Sequence, residues 1–482
     1  MRALLVRRLG RARRPIVRLA AAAVGCSVPK DAGFSDVRRA VGARLDHQVH
    51  WTLTHSERDE VSASVEELLA HQLTIDAAIQ IALLKNQQLQ AVYEDLGVAQ
   101  AELVQAGLLK NPVFDAAVRL RISGGPVNPE FAIAQDFLDL LFIPMRKRVA
   151  GAEFEAAKQR VTGAVLDLAG EVRIACYQLQ AEGQLLDLER AVLDSADAAA
   201  TAASRLHAAG NITALELASE QALAAQARLD VAAAEAHVVD LRERLNALMG
   251  LWGDETAWTL AGRLGEPPAE DIDLTGVERR AVAASLDLAD TRAQVAAARE
   301  RVGLARAEGP LPSLDAGALA DRDDGQWEVG PSVAFPVPLF DQGQAQVASS
   351  AAELRRTERR FHALAVQLRA AVRAARSNML AARQRAVFYQ QVLLPLRQRV
   401  LEQTQLEYNG MQVGVFQLLL AKQQEIDGSK QYVDALRVYW VSRAQLTQIL
   451  DGRLPHLAPG IGLPIPSADE PVLSGETLSG GH

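Results

Sequence analysis

Three histidines lie within nine residues near the start of the chain, in the stretch "DHQVHWTLTHSE" of residues 46–57. Imidazole is a common ligand of transition metals, so His47, His50 and His55 are the first candidates for a metal site. Their spacing matches no standard zinc site, and the segment precedes the first strongly periodic helix. We therefore expect solvated histidines in a linker, with a metal site as the weaker alternative.

The sequence offers no set of catalytic residues. It contains no glycine-rich phosphate loop, no His-Glu-x-x-His pair and no closely spaced pair of cysteines. Cys26 ends the stretch "AAVGC", which is typical of a bacterial lipoprotein signal, and Cys176 lies in an apolar helical pattern. We expect a signal peptide over residues 1–25, lipidation of Cys26, a buried Cys176, no disulfide, no enzyme activity and no cofactor. An unprocessed N-terminus is the alternative.

The composition favours thin helical layers over a thick core, because only 5% of the 482 residues are aromatic. The net charge is −8, and since the first 25 residues contribute seven arginines and no acid, the remainder carries −15. We expect no binding to nucleic acid. No uncharged apolar run reaches the roughly 18 to 20 residues that a membrane-spanning helix requires, so strands must make any crossing.

The chain repeats itself at an interval of about 200 residues. "NPVFDA" from residue 111 aligns with "LPSLDA" from residue 311, and "RLHAAGNITALEL" from residue 205 aligns with "LEYNGMQVGVFQL" from residue 406. These matches indicate a tandem duplication. The predicted organisation is an N-terminal extension at 26–72, a first repeat at 73–250, an equatorial linker at 251–276, a second repeat at 277–452 and a C-terminal tail at 453–482.

Each repeat is predicted to contain a helix, two strands, a very long helix, a break and a further helix. Helices are expected at 73–107, 146–206, 213–249, 343–408 and 415–450, with a kink at Pro395 because proline lacks an N–H group. At about 1.5 Å per residue, the first long helix would extend about 90 Å. Helices of this length are built to span distance.

The predicted strands are 113–122, 131–138, 313–320 and 326–335. In the first, Phe114, Ala116, Val118, Leu120 and Ile122 alternate with Asp115, Ala117, Arg119 and Arg121. Strands of roughly this length cross a bilayer when tilted, and an open sheet edge is not tolerated in lipid, so four strands would have to close with copies of themselves. A sheet packed on a soluble helical domain is the alternative. The expected lumen-facing residues are Asp115, Arg119, Arg121, Asp315 and Glu328.

In order along the chain, "LLKNP", "PLPSLDA" and "FPVPLFDQGQ" flank the strands, and "HAAGNITALELA" and "YNGMQVGVFQLL" interrupt the helices. This succession, over residues 73–452, resembles the TolC family of outer-membrane efflux proteins. The resemblance implies a mainly α fold with a small β part and an internal tandem duplication. It implies a trimer whose twelve-stranded transmembrane β-barrel, four strands per protomer, continues into a long periplasmic α-helical barrel.

The resemblance also implies the function of a passive outer-membrane exit duct in a tripartite efflux system. Such a homotrimer would sit in outer-membrane lipid, extend into the periplasm, and dock on a periplasmic adaptor and an inner-membrane pump. The second helix break resembles relatives in a heavy-metal branch, so copper or another heavy metal is the first expectation for the substrate, with drugs as the alternative. A soluble coiled-coil scaffold and a periplasmic adaptor are the rival functions.

By the same resemblance, the two helix breaks are expected to be tips that meet the adaptor. The residues expected there are His207, Gly210, Asn211, Thr213, Tyr408, Met411 and Gly414. The family commonly has acidic residues where the tunnel narrows near these tips. Glu216 keeps an acid in the first repeat, whereas its counterpart in the second repeat is Gln417.

Overall fold

The computed structural model describes Pro29 and residues 31–119, 127–323 and 326–455. The predicted signal peptide, the predicted lipidation site Cys26 and the predicted lumen residue Arg121 lie outside the described residues. The same holds for the predicted tail beyond residue 455. These stay predictions.

The N-terminal extension forms two helices, α1 (Phe34–Gly42) and α2 (His55–Leu69). Phe34, Val37 and Trp51 are buried, and Trp51 Nε1 donates a hydrogen bond of 3.0 Å to Glu94 Oε1. Of the three histidines predicted to be solvated, His55 is exposed, whereas His47 and His50 are half-buried between the two helices. The helical periodicity of the N-terminal extension is weak in the sequence because α1 has only nine residues.

The helices and strands of the two repeats follow in the same order. The first repeat contains α3 (Ile75–Lys85), α4 (Gln87–Ala106), β1 (Val113–Arg119), β2 (Asn128–Asp136), α5 (Asp139–Ala208) and α6 (Ala214–Met249). The second contains α7 (Val277–Ala284), α8 (Leu286–Glu308), β3 (Asp315–Asp323), β4 (Gln326–Ala334), α9 (Gln344–Phe388), α10 (Leu394–Asn409) and α11 (Val415–Leu450).

The first helix of each repeat is interrupted by a polar residue that caps the next helix. Asn86 Oδ1 accepts a 2.8 Å hydrogen bond from Leu89 N at the start of α4, and Ser285 Oγ accepts one of 3.2 Å from Leu288 N at the start of α8. Both capping residues are buried and have extended backbone angles. The single helix predicted at 73–107 is therefore two helices, because the capping bond replaces an intrahelical one.

Helix α5 is 70 residues long, which corresponds to about 105 Å. It begins at Asp139, before its predicted start at 146, and therefore includes Pro144 in its second turn. The missing N–H of Pro144 removes a single hydrogen bond, to the carbonyl of residue 140. The corresponding helix of the second repeat is broken. A π-helical turn at Tyr389–Leu393 ends two residues before Pro395, at the position where a kink is predicted.

The helices form a wall one layer thick. Nearest the strands, α5 lies between α4 and α8, and α8 packs on α9; toward the helix breaks, α5 lies between α6 and α11, and α11 packs on α10. The main apolar core lies at the middle of α5, where α1, α3 and α4 cover residues 161–179. Cys176 is fully buried there, as predicted, and burial raises the pKa of its thiol to about 12.

All four strands form one antiparallel sheet in the order β1-β2-β3-β4. Strand β2 begins at Asn128 and β3 continues to Asp323, so both extend into residues predicted as turns. Asn128 pairs with Arg119, and Asp323 pairs with Gln326. Asn-Pro and Asp-rich stretches favour turns when they are judged locally, but here the ladder of the neighbouring strand satisfies their backbone groups.

Arg453, which follows helix α11, links the two repeats. Its Nε donates hydrogen bonds of 3.1 and 2.9 Å to the two carboxylate oxygens of Asp167 in α5, and its Nη1 bonds Asp287 in α8. A Cβ atom on Gly163 would lie 2.9 Å from this guanidinium, so a larger residue at that position of α5 would displace the arginine head group. The three charged side chains are mostly buried.

No helix in the described part of the chain combines the length and the apolarity needed to cross a membrane.

Replacing Arg453 with Met is expected to destabilise the protein by about 3 kcal/mol, because it removes the guanidinium that binds the mostly buried carboxylates of Asp167 and Asp287. Thermal unfolding of the purified protein measures this loss. Arg373→Met is the matched control, since Arg373 pairs with Glu278 at the exposed surface and should leave the melting temperature unchanged. Equal melting temperatures for the two variants would contradict the assigned role of Arg453.

Candidate pore wall and helical tips

One face of the sheet is apolar and exposed. The register places Phe114, Phe131 and Val329 on the same face, and Phe114 and Val329 are 67% and 75% exposed. The rings of Phe114 and Phe131 stack at 6.2 Å, and those of Phe131 and Trp327 stack at 6.0 Å. The rings of this aromatic row belong to β1, β2 and β4, so the row spans all four strands, yet no helix of the described chain covers it.

The opposite face is polar and charged. The register brings the described lumen candidates Asp115, Arg119, Asp315 and Glu328 to this one face. Two further acids, Glu130 and Asp321, lie there and were missed by the sequence analysis. Glu130 pairs with Asp321, and Asp321 pairs with Glu328, so three carboxylates form a row across β2, β3 and β4. Arg119 Nη2 lies 2.6 Å from Glu130 Oε2 at the end of this acidic row.

An ion network joins the sheet to the helices in the first repeat. Asp136 Oδ1 accepts a hydrogen bond of 3.1 Å from Leu138 N, and Asp136 Oδ2 accepts one of 3.2 Å from Lys110 Nζ. The side chain of Asp139 is buried, with 1% of the residue exposed. It accepts a hydrogen bond of 2.6 Å from Arg146 Nη1 and one of 3.1 Å from Lys110 N. The short hydrogen bond from Arg146 lowers the pKa of Asp139 to about 2. This carboxylate therefore stays charged at any mildly acidic pH, and the strand-to-helix turn is held firmly.

The equivalent junction of the second repeat is built differently. Nine residues, 335–343, connect β4 to α9, and they include Leu339 and Phe340, which is 92% exposed. The segment ends at Gly343, whose φ is +74°, and a Cβ there would lie 2.6 Å from the Cα of Gly309. Glycine at both positions allows the two backbones to meet, in place of the ion network of the first repeat.

The first helical tip is a tight turn at Gly210. Gly210 has a φ of +78°. Asn211 N donates a hydrogen bond of 2.9 Å to the carbonyl of Leu206, and this bond ends helix α5. His207 Nδ1 lies 3.0 Å from the carbonyl of Ile212. Thr213 caps α6. Its Oγ1 accepts a hydrogen bond of 3.2 Å from Glu216 N, and its own N donates one of 2.7 Å to Glu216 Oε2. The predicted first-tip residues are therefore brought together in one turn.

The second tip has the same turn with different residues. Met411 takes the left-handed position with φ +58°, and Gln412 N donates 2.9 Å to the carbonyl of Glu407. Gly414 N donates 3.0 Å to Gln417 Oε1, which repeats the bond that Glu216 makes in the first repeat. The side chains of Glu216 and Gln417, predicted for the tunnel constriction, thus hold the starts of their own helices. Hydrogen bonds from Thr213 lower the pKa of Glu216.

The metal candidates do not come together. His47 Nε2 lies 3.3 Å from the carbonyl of Asp76, His50 is half-buried, and His55 is exposed as the first residue of α2. Within the described residues, no group of three or more His, Cys, Asp or Glu side chains is arranged to hold a metal ion.

No protein-family model matches the chain. Among known proteins it is similar to the cobalt-zinc-cadmium resistance protein CzcC of Cupriavidus metallidurans, at 24% identity over 331 residues that cover 67% of this chain and 77% of CzcC. It resembles the Campylobacter jejuni CmeC outer membrane channel with a TM-score of 0.66 at 13% identity, over 85% and 90% of the two chains. It resembles CusC, a transmembrane channel, with a TM-score of 0.65 at 15% identity, over 79% and 92%.

The chain has the fold of the TolC-family outer-membrane channels. The mainly helical architecture with a small antiparallel sheet, expected from the resemblance in sequence, is confirmed. In this fold, the exposed sheet and the helical wall are parts of one protomer.

The acidic row is expected to favour cations in a pore. Replacing Asp321 with Asn and Glu328 with Gln together should lower the ratio of cation to anion permeability by about two- to threefold, because fixed charges on a lumen wall attract counter-ions. Reversal potentials across planar lipid bilayers under a salt gradient measure this ratio.

Arg322→Gln is the matched control for this change. Arg322 is the neighbour of Asp321 in β3, but the register places it on the opposite face of the sheet. The control should leave the ratio unchanged. If the double variant and the control behave alike, the acidic row does not line the conducting path.

Proposed function

We propose that this protein is a trimeric outer-membrane channel that serves as the passive exit duct of a tripartite efflux system. It sits in the outer membrane with its sheet in lipid and its helices in the periplasm, and it docks on a periplasmic adaptor and an inner-membrane pump. The proposal rests above all on one observation: a one-layer sheet with an exposed apolar face, a charged face and two unpaired edges.

The unpaired edges support closure with other copies. Among the described residues of one copy, β1 pairs with β2 alone and β4 pairs with β3 alone, so each of these two strands leaves one side of its backbone without a described partner strand. In hydrocarbon such groups must be satisfied. Two copies would give about eight strands, whose interior side chains fill, whereas three copies give about twelve and leave a lumen for the acidic row.

The helical wall has matching free edges. On one edge, Phe388, Val392, Leu396 and Val400 follow one another at four-residue steps and are all exposed. On the other edge, α6 exposes Leu215, Leu223 and Leu229. Apolar stripes at helical spacing indicate helix packing. These two stripes support side-by-side contacts between protomers along the tunnel, from the broken helix of one copy to α6 of the next.

The position of the tips supports docking on an adaptor. Both turns lie at the opposite end of the molecule from the sheet, separated from it by the full length of α5, about 105 Å. A channel anchored by its sheet would therefore present the two tips deep in the periplasm, where an inner-membrane pump complex can be reached.

A heavy-metal cation is the proposed substrate. The relative CzcC is described as a cobalt-zinc-cadmium resistance protein, and the acidic row suits the passage of cations. Deleting the gene should lower the tolerance of the host to cobalt, zinc, cadmium or copper, and the intact gene should restore it. Growth across a concentration series of each metal, with a panel of drugs in parallel, measures this. Loss of drug tolerance alone would assign a drug efflux channel instead.

A soluble coiled-coil scaffold and a periplasmic adaptor are the rival functions. Either would need its sheet to pack against another layer of its own chain in order to bury apolar side chains. In the described residues the strands pack against one another, and large apolar side chains such as Val329 and Phe114 remain bare on one face. This favours a surface that faces lipid.

Replacing both Leu396 and Val400 with Glu is expected to prevent trimer formation, because it places charges in the apolar stripe of α10. Gel electrophoresis of unheated membrane extracts, together with cell fractionation, measures trimers and their location. Wild-type protein should run as heat-labile trimers in the outer membrane.

Gln391→Glu combined with Gln398→Glu is the control, since both residues are exposed and lie beside the stripe. It adds the same charge and should leave the trimer intact. A wild-type protein that is a monomer in the soluble fraction would contradict the proposed function itself.

A further inference from the structure

The two tips of the protein differ at one backbone position. In the described residues, Met411 and Ala32 are the non-glycine residues with positive φ, and Met411 occupies the position that Gly210 holds in the first repeat. The turns are otherwise alike, because Gly210 N donates 2.9 Å to His207 O, and Met411 N donates 2.9 Å to Tyr408 O.

Local folding favours glycine at this position. A side chain with a Cβ atom is disfavoured in the left-handed region, and glycine is not. The side chain of Met411 does not offset this strain by packing within its own chain, since Met411 is 94% exposed. A strained residue that gains nothing within its own protomer points to a function outside it.

The turns of the two tips also expose different side chains. Met411 and Gln412 stand in the second turn where Gly210 and Asn211 stand in the first. Leu406 is largely exposed and Tyr408 is partly exposed in the helix that leads into the second turn. The second turn therefore presents a large apolar side chain at the left-handed position, where the first turn presents none.

We propose that Met411 is the anchor residue of the second tip and inserts into an apolar pocket of a protein partner. This rests on the proposed function, so the partner is the hairpin end of the periplasmic adaptor. Methionine suits this role because its flexible, polarisable side chain adapts to a pocket. The first tip then contributes polar and backbone contacts, and most of the binding energy lies on the second tip.

Neighbouring copies of this chain are less suited to Met411 than an adaptor is. Contacts between copies are provided by the stripes along α6 and α10, whereas Met411 lies in the turn beyond the end of α10. A partner that approaches the end of the tunnel meets this turn first.

Four variants of the full chain separate the roles of strain and side chain. Met411→Gly removes both the strain and the side chain. Met411→Gln keeps the Cβ atom and the approximate length but makes the side chain polar, whereas Met411→Leu keeps it apolar. Gly210→Met places a methionine in the first tip. Metal tolerance of complemented deletion strains, with cobalt, zinc, cadmium and copper as probes, gives activity. The melting temperature of the purified trimer gives stability.

Met411→Gly and Met411→Gln are expected to abolish complementation, with loss of about tenfold or more in adaptor affinity, whereas Met411→Leu retains it. The melting temperature of Met411→Gly should equal or exceed that of wild type, because strain is relieved. Gly210→Met should lower the melting temperature slightly and should not restore activity to Met411→Gly. A Met411→Gly variant that complements fully would overturn the proposal, whatever its melting temperature.

A photo-crosslinking amino acid at position 411, with position 210 as the control, identifies the occupant independently of the substrate. Crosslinks from 411 that map to the hairpin end of an adaptor support the proposal. Crosslinks from 411 to another copy of this chain alone would refute it. If the wild-type gene restores no metal or drug tolerance, the proposed function fails, and the crosslinks still decide what Met411 contacts.

Discussion

The requirement that every backbone hydrogen bond of a sheet be satisfied governs this molecule. Its four strands form a ladder with two unpaired edges, and neither face of the sheet is covered by another layer of the described chain. One face is apolar, so burial in lipid lowers its free energy, but lipid cannot satisfy the edges. Only pairing with further strands can do so, and the protomer has no more strands among its described residues. Assembly is therefore a condition for the sheet to exist in a membrane.

The duplication explains why the two halves share their architecture, and its departures show where they differ. Buried capping residues interrupt the first helix of both repeats at Asn86 and Ser285. At the sheet, however, the first repeat has a buried carboxylate, Asp139, bound to Arg146, while the second has a nine-residue linker that ends at a glycine contact. Helix α5 is continuous, whereas its counterpart contains a π-helical turn before Pro395. The first repeat thus has the continuous helix and the ion-paired junction, and the second has the interrupted helix and the longer linker.

Features with a regular period could be predicted from the sequence. The alternation from Phe114 onward gave the strand and its two faces, and the register places Asp115, Arg119, Asp315 and Glu328 on one face. Features that depend on distant partners could not be predicted. Glu130 joins the acidic row through β3, and the buried Asp139 is explained only once Lys110 and Arg146 are beside it. The folded N-terminal extension could not be predicted for the same reason, because α1 packs against α5 and α2 packs against α3.

Exposed apolar side chains occur along the whole length of the described chain, and exposure alone does not indicate what surface covers them. Their position along the molecule indicates which kind of surface fits each of them. Val329 lies in the sheet, where one face must meet lipid if the other lines water. Leu396 lies midway along a helical edge, where a straight neighbouring helix is the only surface of matching shape. Met411 lies in a turn at the far end, beyond any helix edge, and takes a conformation that its backbone disfavours. Under the proposed function, the sheet meets lipid, the helical edge meets a neighbouring copy and the tip meets an adaptor, and a single apolar environment could not cover all three.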